Sequence, residues 1–242
     1  MRNKLIPLLL ILLFVLAACG SNATQTTTQA ATAAPTCRST LPANLPTTAA
    51  PPPTKPHKMN MGPHMKMTAY RPATAQDMAR VEAIVQNAHA CFDKYRDYHL
   101  ALRDGYRIFA PDVPQDVYHF ANVPNFQEAQ TTFDLAHPSA LLYSKSGDGY
   151  QFVGVMYSAP ANDTEDQLNQ FIPLSITPWH LHTNICLPAG DTSTFLFPNN
   201  SLFGLTGTIA TKAQCDKLGG TFYSSLFGWM VHIPLFGSVS AG

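Results

Sequence analysis

Two histidines one residue apart stand in "TPWHLHTNIC", Thr177 to Cys186. Neutral imidazoles are ligands for transition metals, and in a strand the i, i+2 spacing turns both rings to the same side. His180, His182, Asn184 and Cys186 then share one face, and Trp179, Leu181, Thr183 and Ile185 the other. The segment "GWMVHIPLF", Gly228 to Phe236, has the same design, with Met230 and His232 opposite Trp229, Val231 and Ile233. If the two strands are neighbours, His180, His182 and His232 form a three-imidazole set, to which His119 of "VYHFA" adds a fourth. Such a set suits copper, zinc or iron.

A second donor-rich stretch is "PHKMNMGPHMKMTAY", Pro56 to Tyr70. It holds Met59, Met61, Met65 and Met67, four of the eight methionines of the chain, together with His57 and His64. Thioether sulfur is a soft, neutral donor that prefers Cu(I), and in a linker it has no core to fill. The MxM and HMxM spacings resemble the methionine-rich segments of bacterial periplasmic copper-handling proteins. That resemblance favours copper and implies a ligand type, not a fold. Among the other histidines, His99 falls on the apolar face of a predicted helix, His89 on its charged side, and His137 before a proline in a loop.

The elements that must carry these residues follow from periodicity. A helix is predicted over Ala75–Arg103, with Met78, Val81, Val85, Ala88, Phe92, Tyr95, His99 and Leu102 on one face. Thr74 and Asp77 supply an N-terminal capping pattern and Gly105 a stop. Strands are predicted at 117–121, in a hairpin over 140–157 turned by Gly147-Asp148-Gly149, and in the two histidine segments; a short helix is predicted over 212–218. The fold class is α+β, an antiparallel β-sheet packed with one long N-terminal helix.

The first residues, "MRNKLIPLLLILLFVLAAC", pair two cations with a short apolar run, the pattern of an export signal. Leu16-Ala17-Ala18-Cys19-Gly20 resembles a bacterial lipobox, which implies lipidation of Cys19 and a membrane-anchored, extracytoplasmic protein. Residues 20–67, rich in Ala, Thr and Pro, read as a disordered tether ending in the Met/His stretch, and 68–242 as one domain of about 175 residues. Of the remaining cysteines, Cys186 and Cys215 are expected to pair, joining the two histidine strands at a gain of roughly 3 to 4 kcal/mol. Cys91 and Cys37 are a further pair that the sequence neither requires nor forbids.

Lys and Arg balance Asp and Glu at 15 each, but from residue 68 onward nine cations face fifteen acids. No basic patch points to nucleic acid. No nucleophile motif or phosphate-binding glycine loop points to a hydrolase or nucleotide enzyme. Cys186 beside two histidines invites a blue-copper reading, but the Cys, His and Met of that class lie together in one C-terminal loop, and here they do not. The domain resembles bacterial exported lipoproteins that carry "WHxHxNxC" and a final "CxxxGG…WMxH", here Trp179–Cys186 and Cys215–His232. The likeness implies domain limits and no activity. The expected function is that of a membrane-anchored metal-binding protein, copper favoured, which sequesters or delivers its ion and is more a binder than an enzyme. One alternative is a cupin-like metalloenzyme, although no glutamate follows the HxH pair at cupin spacing. The other is a metal-free binding module.

Overall fold

The computed structural model describes residues 36–47, 62–190 and 202–236, all within one compact unit. The predicted export signal, Cys19, and His57, Met59 and Met61 lie outside the described residues. Seven strands form one antiparallel sheet: β1 (Met65–Met67), β2 (Arg107–Ile108), β3 (Tyr118–Ala121), β4 (Ala140–Ser146), β5 (Gly149–Ala159), β6 (His180–Pro188) and β7 (Gly220–Pro234). Their spatial order is β1-β6-β7-β5-β4-β3-β2. The two histidine segments are therefore adjacent strands, β6 and β7, inside the sheet of an α+β fold.

Alternation gives the sheet two unlike faces. One turns Phe120, Leu141, Tyr143, Val155, Tyr157, Trp179, Trp229 and Val231 into the main core, where helices α1 (Ala75–Phe92) and α2 (Tyr98–Arg103) pack with Ile84, Ala88, Phe92 and Ala101. The opposite face carries a smaller cluster of Val117, Ala140, Leu142, Met156 and Met230. The remaining helices are α3 (Val123–Glu128), α4 (Glu165–Phe171) and α5 (Lys212–Lys217).

The long helix expected over 75–103 is divided. Its start is as predicted, with a capping box between Thr74 and Asp77. After Phe92 a 3₁₀ turn runs over Asp93–Arg96, and Asp97 takes an extended backbone (φ −86°, ψ 99°) to cap α2. Its Oδ1 accepts from both the backbone N–H and Nδ1 of His99, at 3.0 and 2.9 Å. Aspartate competes with helical hydrogen bonding in this way, and the new helix begins with a different phase. His99, expected on the buried face, is therefore exposed.

The domain also begins earlier than residue 68. A segment over 36–47 is held by the Cys37–Cys91 disulfide, by paired hydrogen bonds of 2.9 Å between Arg38 and the buried Asn87 side chain, and by Leu41 against the core. Gly62–His64 form a 3₁₀ turn, and Met65–Met67 pair with β6 in the register Met65↔His182 and Met67↔His180. Met65–Met67 thus belong to the sheet edge, and the tether reading over 20–67 does not hold for 36–47 or 62–67. Composition alone missed this because the stabilising contacts are backbone pairing and a disulfide, neither of which needs an apolar run. The second disulfide joins Cys186 to Cys215. Two disulfides place the chain in an oxidising, extracytoplasmic environment. Among the described residues no helix is long and apolar enough to cross a membrane.

Candidate metal centre

The smaller face of the sheet opens into a cavity of about 530 Å³. His119 from β3, His180 and His182 from β6, and His232 from β7 all line it. The alternation predicted for Trp179 to His182 is realised: Trp179 and Leu181 enter the main core while the two histidines face the cavity. On β7, Trp229, Val231 and Ile233 enter the same core, and Met230 and His232 face the cavity.

Beyond His182 the alternation breaks. The β6/β7 register shifts between Leu181 and His182, and Asn184 adopts φ 57°. Asn184, expected beside the histidines, donates from Nδ2 to the Pro63 carbonyl at 3.0 Å. Ile185, expected beside Trp179, packs instead with Leu187, and Cys186 sits with Cys215 and Ile209. A left-handed residue in a strand resets the face that every later side chain meets.

The four rings form a chain of contacts. Ring centroids lie 5.6 Å apart for His180–His182 and 5.1 Å for both His180–His232 and His119–His232. His119 Nε2 and His232 Nε2 are 3.2 Å apart. His119 also has a hydrogen bond to the Val117 backbone, and that bond favours the protonated ring. One of the two Nε2 atoms donates to the other, the direction depending on the tautomers of the two rings. His232 Nδ1 is a buried nitrogen with no hydrogen-bond partner.

Burial holds all four rings in the neutral form. His119 and His182 are both lowered to about 4, and His180 to about 3; His232 lies well below its ordinary value. Desolvation is the leading cause at each. For His119, His180 and His232, the charge that a neighbouring imidazole would carry adds to it. Neutral imidazoles keep the lone pairs that bind metals.

The expected ligands of the Met/His stretch divide. Met65 lines the cavity, beside Met156 and Met230. Met67 is half-buried in the edge strand. His64 is buried, with Nδ1 2.9 Å from the Asn184 carbonyl and Nε2 2.7 Å from the Gly207 carbonyl. Both nitrogens face carbonyl oxygens and His64 is not among the residues that line the cavity, so the expectation of His64 as a ligand of this site is corrected: it fastens the segment before β1 against β6 and the loop before α5.

His137, a weak candidate by sequence, sits with Glu128 and Asp134. Among the described residues, this is the group whose three donor atoms lie within 4.8 Å of one another; the four-imidazole cluster is looser. The two carboxylates come from α3 and the loop after it, and no local motif links them. Phe109, Phe126 and Phe227, which also line the cavity, had no signal in sequence because they come from the segment after β2, from α3 and from the bulge of β7, which share no spacing. The chain matches no protein family, no curated protein and no solved structure.

Proposed function

We propose that the protein binds a transition metal, copper by preference, through His119, His180, His182 and His232, and that it does so on the outer side of a bacterial membrane, anchored by lipid on Cys19. The observation that carries the metal reading is the pair of Nε2 atoms at 3.2 Å. Two nitrogens bound to one tetrahedral ion at about 2.0 Å are separated by about 3.3 Å. His180 and His182 would complete the set by ring rotation. The three methionine sulfurs around the cavity favour copper over zinc or iron, because thioethers are soft donors. Asp116, the one carboxylate among the described residues of the cavity wall, adds attraction for a cation. Capture or delivery of the ion fits a site next to the Met/His stretch better than catalysis does.

The test is elemental analysis of the purified chain after copper loading, paired with Cu(I) titration. One tightly held ion is expected, and His180→Ala with His182→Ala should lose it. Unchanged metal content in that double variant would leave the metal-free module as the correct reading. Met59→Leu with Met61→Leu should lower the number of further Cu(I) ions bound and leave the first in place. Palmitate labelling that depends on Cys19 tests the anchor.

A further inference from the structure

The cavity is far larger than an ion needs, and its outer part is built from aromatic rings. Pockets of about 300 to 1,000 Å³ accommodate small organic molecules, and this one measures about 530 Å³. Phe227 has an unusual backbone, φ 64°, followed by Gly228 at φ 69°. These two residues are the extra ones in β7 where Leu181↔Trp229 gives way to His182↔Leu226. A bulky aromatic in the left-handed region is strained, and a bulge that imposes such strain re-aims a side chain. What it aims is the Phe227 ring, which meets Phe109 and Phe126 edge to face at 6.2 and 6.3 Å. Phe109 and Phe227 each remain 38% exposed, unlike the aromatic rings of the main core.

The geometry points to a binding site for a small, neutral aromatic molecule with one hydroxyl donor, of the phenol or naphthol class, held by Phe109, Phe126 and Phe227 with its oxygen toward the histidines. Three rings in edge-on and oblique array provide faces and edges for another ring. Neutrality follows from the lining: among the described residues no lysine or arginine contributes, and Asp116 would repel a carboxylate ligand. Inside the wall, Gln115 Nε2 donates to the Phe109 and Ala110 carbonyls, Asn122 Oδ1 accepts from the Asn125 backbone N–H, and Ser139 Oγ bonds with Ser158. The Asp116 side chain is exposed and keeps its water, so the buried histidine floor is the polar surface that meets a hydroxyl within the cavity. This inference rests on the metal reading only for what the hydroxyl meets, a metal ion or an imidazole nitrogen; the aromatic wall is independent of it.

The test is binding of 2-naphthol to the purified full chain, metal-free and copper-loaded, followed by fluorescence and calorimetry. One molecule per chain is expected, bound more tightly by the copper-loaded form. Phe227→Gly should weaken binding about tenfold, through loss of one ring face. The same change relaxes the backbone, so the variant should keep its cooperative thermal transition and its copper content. Phe126→Leu, which leaves the bulge untouched, should weaken binding in the same direction. No 2-naphthol binding by a chain that retains copper would overturn the proposal, as would equal binding by both variants. Naphthol bound through Phe227 by a chain that retains no copper would support the aromatic site and end the metal reading.

Discussion

Acid should unfold the metal-free protein through its histidine cluster, and the size of the effect follows from burial. An imidazole in the unfolded chain titrates near about 6.5, whereas His119 and His182 are lowered to about 4 and His180 to about 3 in the folded protein. The folded state therefore binds fewer protons than the unfolded one across this window. Stability from these groups is complete above about pH 6.5 and is lost as the pH falls toward the folded values. At pH 5 each such ring costs about 2 kcal/mol relative to neutral pH. Two or three of them approach the whole stability of an ordinary domain. The sum is smaller than three independent rings would give, because part of the lowering at His119 and His180 is the charge of its neighbours. The assay is urea unfolding from pH 7.5 to 5, read by fluorescence of the buried Trp179 and Trp229. In His119→Phe the slope of stability against pH between 6 and 5 should fall by about 1 kcal/mol per pH unit, other titrating groups being common to both chains. A wild-type stability that is flat from pH 7.5 to 5, or equal slopes in the two chains, would refute the claim that these rings are buried and neutral. Copper should raise stability at pH 7 and lose that effect in acid, since protons and metal compete for the same lone pairs.

Gly228→Ala should destabilise by about 3 to 5 kcal/mol in the same assay, because a Cβ there would collide with the Ala159 carbonyl at a φ of 69°. Replacement of Cys37 and Cys91 by serine should cost about 4 kcal/mol for a separation of 54 residues, and replacement of Cys186 and Cys215 somewhat less for 29, as measured by the urea midpoint under non-reducing conditions.

The central part of the site was legible in the sequence because one rule produced it. Period-two alternation, with tryptophan against histidine on two segments, was enough to place Trp179, His180, Leu181 and His182, and then Trp229 through His232. The same rule failed at Asn184, where backbone handedness and not side-chain type decides the face. The helix from Ala75 was legible up to Phe92. Its break at Asp97 was not, since an aspartate in the middle of a charged face looks alike whether it is solvated or capping. The order of β1 escaped because three residues of edge pairing leave no periodic trace. The aromatic side of the cavity escaped for a different reason: Phe109, Phe126 and Phe227 are brought together by topology alone.

Gly220 gives the Cys186–Cys215 link a consequence for sequence change. A methyl group at that position would stand 2.7 Å from one sulfur, 2.8 Å from the other and 2.9 Å from the Leu187 carbonyl. The space the cystine occupies is the space any side chain at 220 would need. Three positions therefore behave as one heritable unit: while the crosslink persists, 220 is closed to substitution, and in a descendant that had lost both sulfurs only the Leu187 carbonyl would still stand against alanine. Penalties for the glycine and cysteine changes, measured singly and then together, should accordingly fail to sum.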